Sequence, residues 1–89
     1  MVRATAYFSG SVQQVGCRFA TQQAASRLGL VGTVQNLNDG RVKAVVEGDE
    51  DLIRQLPDEV NANPSIRINE VEWHFSKEVG EFSTFEILL

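Results

Sequence analysis

The chain has 89 residues, 43% of them hydrophobic and 22% charged, which fits one domain with a single core. This composition is typical of a folded protein and excludes a disordered or low-complexity chain. The single cysteine excludes an internal disulfide and a multi-thiolate metal site, and it is compatible with a reducing compartment. No run approaches the ~20 apolar residues of a membrane helix, and no signal peptide follows Met1. We therefore expect a cytoplasmic protein in which residues 1–89 form one domain that does not bind a membrane.

The charge is unevenly distributed along the chain. The net charge of −4 disfavours non-specific binding to nucleic acid. Residues 1–38 contain three arginines and no acidic residue, whereas all 12 acidic residues lie in residues 39–89. An acid-free N-terminal half suits an anionic ligand, although a chance asymmetry on a solvated surface accounts for it equally well.

The first half of the chain predicts a strand followed by a helix. Apolar residues alternate over residues 2–8, as in a half-buried strand, and Ser9-Gly10-Ser11 is expected to end it. Residues 18–30 change to helical spacing, and Gly29 is expected to form the C-cap. The apolar stripe expected on this helix consists of Phe19, Ala20, Ala24, Ala25, Leu28 and Leu30.

A hairpin and a second helix come next. Asp39-Gly40 separates two strand-like runs, residues 31–37 and 41–48, which is a strong hairpin signal. Apolar residues then recur every four positions after Asp49, and Pro57 is expected to kink or shorten this helix. Four nearby carboxylates are expected to form a solvated helix start: Glu47, Asp49, Glu50 and Asp51.

The C-terminal third predicts two further strands. The apolar parity changes between Ile68 and Val71, which indicates a bulge near Asn69. Phe85 and Ile87 indicate a short terminal strand. The resulting order is βαββαβ plus this short strand. It predicts an α+β, ferredoxin-like sandwich with two helices on one face of an antiparallel-rich sheet.

The connection between the first strand and the first helix is the most informative segment. Gly10 and Gly16 bracket a loop that leads into a helix N-terminus, where free N–H groups favour an anion. Arg18 lies at this junction, and a guanidinium matches phosphate oxygens with paired donors. From these residues alone, an ordinary loop with a solvated arginine remains an alternative, because glycine-containing loops are common.

Several blocks together resemble the acylphosphatase family. The loop GSVQQVGCR matches the family at Val12, Gln13, Val15 and Arg18, and the helix end LGLVG matches it as well. The following VQNLNDGRV contains Asn36 at the family's spacing of 18 residues from the arginine, and FEI resembles the closing strand. The likeness spans nearly the whole chain.

The resemblance implies hydrolysis of acyl phosphates to a carboxylate and inorganic phosphate, without a metal or cofactor. Arg18 and Asn36 would be the catalytic pair, with Arg18 on the phosphoryl oxygens and Asn36 holding the attacking water. The phosphate-binding loop would consist of Ser11, Val12, Gln13, Gln14, Val15 and Gly16. A purely structural Asn36, bonded to its own turn, is the alternative. A domain this small is expected to leave the acyl end exposed and to accept many acyl phosphates, and we expect a monomer.

Departures from the family pattern predict reduced activity. Gln14 replaces a glycine, and a side chain at a left-handed residue costs about 1 kcal/mol. Cys17 replaces a phenylalanine, and Thr33 stands where an aromatic residue is usual. Cys17 also lies at a helix N-terminus, where the pKa of a thiol tends to fall, so a redox-sensitive thiol is a further hypothesis.

Other functions of this topology fit the sequence poorly. An RNA-recognition module needs stacking aromatic residues on its third strand, and residues 41–48 contain none. A heavy-metal chaperone needs two cysteines. A non-catalytic anion- or partner-binding module with a degenerate acylphosphatase site remains the alternative to the enzyme.

Overall fold

A computed structural model describes all 89 residues and confirms the predicted fold. The elements in chain order are β1 (Val2–Ser11), α1 (Cys17–Arg27), β2 (Val31–Asn36), β3 (Val42–Gly48), α2 (Glu50–Asn61), β4 (Arg67–Lys77) and β5 (Phe85–Ile87). The five strands form one sheet in the order β4-β1-β3-β2-β5. Every pairing is antiparallel except that of β2 with β5, so the sheet is mixed.

One face of the sheet carries the core, because alternate residues of each strand point to the same side. Ala4, Ala6 and Phe8 of β1 are fully buried, and their partners on β3 are also buried. Both helices cover this face and contact one another. Neither helix has the length and hydropathy needed to span a bilayer.

The first strand is longer than predicted. Ser9, Gly10 and Ser11 continue β1 rather than ending it, and Ser11 pairs with Arg67. Ser9 pairs with Glu70 and Gly10 with Ile68, so Asn69 is an extra residue on β4, which confirms the predicted bulge. Beyond the bulge the pairing of β1 with β4 resumes, and it continues to Ser11, just before the chain turns towards α1.

The buried stripe of α1 differs from the predicted one. Cys17, Thr21, Ala24 and Ala25 are the buried residues, whereas Phe19 is 62% exposed. The prediction that Phe19 lies on the buried face of α1 was wrong. It rested on hydrophobicity alone, whereas the residues of α1 that are buried are smaller ones. At the other end, the Leu30 amide donates to Ala25 and the Gly29 amide to Ser26, a Schellman motif that confirms Gly29 as the helix stop.

The second helix runs through Pro57 to Asn61 and is not shortened. Asp49 caps its N-terminus, since its carboxylate accepts from the Asp51 amide at 2.9 Å. Interior proline costs about 3 kcal/mol, so tertiary packing must offset it. That packing comes from a buried stripe of Ile53, Leu56, Pro57 and Val60.

Glu47 is not part of a solvated helix start, contrary to the prediction. It is only 2% exposed, and its carboxylate accepts from the amides of Val79 (2.7 Å) and Gly80 (3.0 Å). Arg3 Nε also donates to it at 2.9 Å. These donors, the Val79 amide first, hold the pKa of the Glu47 carboxyl below its usual value. The carboxylate therefore fastens the segment before β5 to the sheet.

Candidate active site

Five of the eight predicted site residues line one cavity of about 200 Å³ at the N-terminus of α1. Nine residues line it: Val12, Gln14, Gly16, Cys17, Arg18, Phe19, Asn36, Ile87 and Leu89. Arg18 and Asn36 are thus brought together, although they are 18 residues apart and lie on different elements. Ser11, Gln13 and Val15 belong to the same chain segment but do not line the cavity.

The backbone of the β1–α1 loop, residues 12–16, offers unpaired donors. Gly16 is the N-cap of α1 with φ 80°, and no side chain caps the helix. No amide from residue 12 to residue 16 donates a hydrogen bond to another group of the protein. The first turn of α1 also contains no acidic residue. Free amides together with the partial positive charge of a helix N-terminus favour an anion here.

Arg18 lies in the first turn of α1, beside these amides. Its Nη1 donates to the carbonyl of Leu88 at 3.2 Å. It makes no ion pair with any carboxylate, unlike Arg3, Arg27, Arg41 and Arg54. One hydrogen bond orients the guanidinium and leaves its other donors free for phosphoryl oxygens.

Asn36 is the last residue of β2 and is exposed. Its side-chain amide makes no hydrogen bond within the protein, so it does not stabilise its own turn. Asp39 does that instead: its Oδ1 accepts from the Arg41 amide at 3.0 Å. The structural alternative for Asn36 therefore loses its main support, and the amide is free to bind a water or a ligand.

Gln13 connects the two halves of the site, a role the sequence did not indicate. Its Nε2 donates to the carbonyls of Leu37 (2.7 Å) and Arg41 (2.9 Å) at the base of the β2–β3 hairpin. Asn36 directly precedes Leu37. The side chain of a loop residue thus fixes the strand end that carries Asn36, relative to the loop amides.

Comparison with known proteins decides the family. The acylphosphatase family model matches residues 4–87.

The chain belongs to the acylphosphatase family.

An acylphosphatase of Syntrophobacter fumaroxidans is 44% identical over 86 residues, which cover 96% of this chain and 89% of the relative. An acylphosphatase of Deinococcus radiodurans is 41% identical over 80 residues, which cover 89% of this chain and 92% of the relative. The crystal structure of acylphosphatase from Bacillus subtilis superimposes with a TM-score of 0.90 at 28% identity, over 100% of both chains. Membership identifies the chain as an enzyme of the acylphosphatase type and supports the hydrolase over the non-catalytic module.

Gln14 has φ 62° and is the only non-glycine residue with a positive φ. The structure thus confirms the left-handed conformation that makes glycine the favoured residue at this place of the acylphosphatase loop. The Gln14 side chain is exposed and lines the cavity. A strained residue with a side chain at the mouth of the site is compatible with the predicted reduction in activity.

Cys17 is a buried residue. It is 2% exposed, and burial raises the pKa of its thiol, with the Thr21 hydroxyl 3.9 Å from Sγ. This is opposite to the lowering expected at a helix N-terminus, because desolvation of the thiolate by burial outweighs the hydrogen bond with Thr21. In this member of the acylphosphatase family the position serves packing, which argues against a redox-sensitive thiol.

Three apolar residues of the cavity were missed at the sequence level: Phe19, Ile87 and Leu89. Phe19 was assigned to the core, and Ile87 to a short terminal strand with no link to the loop. The parallel pairing of β5 with β2 brings Ile87 to the site. Only the position of Phe19 directly after Arg18 could have indicated its place.

Proposed function

We propose that the chain hydrolyses acyl phosphates to a carboxylate and inorganic phosphate, with Arg18 and the loop amides binding phosphate and Asn36 positioning water. One observation carries this assignment: Arg18, Asn36 and three residues of the β1–α1 loop (Val12, Gln14 and Gly16) line one cavity. Charge and directed donors come from the protein itself, so the reaction needs no metal or cofactor.

Phosphate binding rests on the loop and Arg18. In the transition state of phosphoryl transfer, negative charge is spread over the three equatorial oxygens, and preformed donors stabilise that charge. The unpaired amides of residues 12–16 and the guanidinium of Arg18 are such donors. Gly16 helps to present these donors, because a glycine adopts the φ of 80° at which the chain turns into α1 without the steric cost of a side chain.

The chemical step is an in-line displacement at phosphorus. The side-chain carbonyl of Asn36 accepts a hydrogen bond from a water molecule, and this bond directs the water oxygen at phosphorus. A bond forms between that oxygen and phosphorus, and the bond from phosphorus to the bridging oxygen breaks. The carboxylate leaves with the electron pair, and the protons of the water stay on the phosphate product until solvent removes one.

The leaving group explains why no general acid is needed. A carboxylic acid has a pKa near 4, so the carboxylate leaves at neutral pH without a proton. The cavity accordingly contains no titratable acid other than the Cys17 thiol. Positioning and charge stabilisation are then the main contributions of the protein.

We further propose that the enzyme acts in the cytoplasm as a monomer and that residues 1–89 act as one catalytic domain. The single cysteine is a buried free thiol, compatible with a reducing compartment. The acidic balance of the chain disfavours nucleic acid as a partner. Its partners are then an acyl phosphate substrate and phosphate as product.

The test is hydrolysis of a simple aryl acyl phosphate in the presence of a chelator. Purified wild type is compared with Arg18→Ala and Asn36→Ala. We expect each variant to lower kcat/KM by about a hundredfold or more, because each removes a directed group in the transition state.

Matched controls are available on the same elements. Arg27→Ala removes an exposed arginine from the far end of α1, and Asn38→Ala removes an exposed asparagine from the hairpin turn. Both should retain wild-type kinetics. Phosphate binding without hydrolysis in the wild type would contradict the enzyme and favour the binding module.

A further inference from the structure

The catalytic cavity is lined by two chemically different sets of residues. Arg18, Gly16 and Asn36 offer polar groups that fit the phosphoryl group. Phe19, Ile87 and Leu89 are apolar. An acyl phosphate has the same division, with a highly charged phosphoryl group at one end and an acyl group at the other.

Phe19 is unusually exposed for a large aromatic side chain, at 62%. It is not needed for the core, since Cys17 and Thr21 occupy the buried face of the first turns of α1. It also borders a second hollow, of about 320 Å³, between α1 and the end of α2. The ring therefore lies between the catalytic cavity and free space into which a larger group can extend.

The small size of the cavity places the acyl group beside this ring. Arg18, Phe19 and Ile87 all line the same cavity of about 200 Å³. The acyl substituent is separated from phosphorus by only the bridging oxygen and the carbonyl carbon. A phosphoryl group held by Arg18 thus leaves the acyl substituent within reach of Phe19 and of Ile87.

Charge limits which acyl groups fit. Arg18 is the only charged residue that lines the cavity. Arg27 is the only cation that lines the second hollow, and it lies 3.8 Å from the Glu59 carboxylate. An acyl group that carries a second anionic group finds no free cation near Phe19.

We propose that Phe19 and Ile87 form an acyl-binding subsite that favours apolar, above all aromatic, acyl phosphates over those with a second anionic group. This proposal rests on the proposed function and narrows the broad tolerance expected from the sequence. An aromatic acyl group packs well against the exposed ring of Phe19, and binding is favoured because both apolar surfaces are removed from water.

The experiment measures kcat/KM for benzoyl, acetyl and succinyl phosphate, each divided by its rate of uncatalysed hydrolysis. We expect the wild type to prefer benzoyl phosphate and to disfavour succinyl phosphate. In Phe19→Ser the ratio of benzoyl to acetyl phosphate should fall by about two- to tenfold, the contribution of one aromatic contact. Val79→Ser is the matched control, since Val79 is 63% exposed and lies outside both hollows.

A binding measurement separates this subsite from the catalytic proposal. Phenacylphosphonate and acetonylphosphonate contain a CH₂ in place of the bridging oxygen and cannot be hydrolysed. The wild type should bind the phenacyl compound more tightly, and Phe19→Ser should lose that preference. An unchanged preference in Phe19→Ser would overturn the subsite, whereas a wild type that hydrolyses no acyl phosphate would overturn only the proposed function.

Discussion

The side-chain amide of Gln13 donates to the main-chain carbonyl of Leu37 at 2.7 Å, and this bond joins the β1–α1 loop to the strand end that carries Asn36. A second bond, to the Arg41 carbonyl at 2.9 Å, reaches the other arm of the hairpin. The proposed phosphate-binding loop and the strand end that carries Asn36, the proposed water-holding residue, are thus joined by one side chain.

Replacing Gln13 by methionine should therefore impair turnover more than substrate binding. Methionine keeps the length of the side chain but cannot donate, so the position of Asn36 relaxes. We expect kcat to fall about tenfold or more, since small misplacements of reacting groups are costly. Stability should fall by about 1–2 kcal/mol for the two lost hydrogen bonds.

Steady-state kinetics and phosphate affinity together check this positioning role. Gln35→Met, on the neighbouring strand β2, is the matched control and should behave as wild type, because Gln35 makes no side-chain hydrogen bond and lies outside the cavity. A Gln13→Met variant that loses stability but keeps kcat would show that Gln13 is only structural.

Gln14→Gly should stabilise the protein and raise activity. Glycine removes the strain of a side chain at φ 62° but increases the entropy of the unfolded chain. The net gain in the free energy of unfolding should be about 0.5–1 kcal/mol, as measured by denaturant titration. Loss of the side chain also opens the cavity, so kcat/KM should increase.

The control for this change is Gln23→Gly, in an exposed position within α1. Helical glycine costs about 1 kcal/mol, so this variant should be destabilised. If Gln14→Gly were destabilised to the same degree, the strain assigned to Gln14 would be refuted.

Glu47 should make stability depend on pH in the acid range. Its folded pKa lies below the ordinary value of 4.5, so its contribution is complete above that pH and is lost as the pH falls through the folded pKa. Glu47→Gln should lower stability at neutral pH and flatten the curve of unfolding free energy below about pH 5. Unfolding titrations between pH 3 and 7 would show both effects, since that range spans the ordinary pKa of about 4.5.

Glu86→Gln serves as the comparison, because Glu86 is exposed and forms no ion pair. Its stability curve should follow that of the wild type. A Glu47→Gln variant with the wild-type slope would mean that folding does not shift the pKa of Glu47.

The Cys17 thiol should be inert in the folded protein. It is buried and its pKa is raised, so alkylation should be at least about tenfold slower than that of a free cysteine. Cys17→Ala should retain activity and lose about 1 kcal/mol of stability, as expected for a small cavity in the core. Rapid alkylation that abolishes activity would instead place a reactive thiol at the site.

The order of elements was predictable because it depends on local signals. Alternating apolar residues, Asp39-Gly40 at the hairpin and Gly29 at the helix stop act within a few residues of one another. Even the bulge at Asn69 was visible as a change of parity. Pro57 and Ser9–Ser11 misled the prediction because packing of α2 and pairing with β4 outweighed local preference.

The sequence by itself also predicted Arg18 and Asn36 as the central pair of the site, through their spacing and the family motif around them. Only the tertiary structure decided what surrounds that pair. The exposure of Phe19, the bonds of Gln13 to the hairpin, the burial of Glu47 and the approach of Ile87 all join residues distant in sequence or on unexpected faces. Such contacts depend on how the elements pack in three dimensions, and the periodicity of one segment carries no information about them.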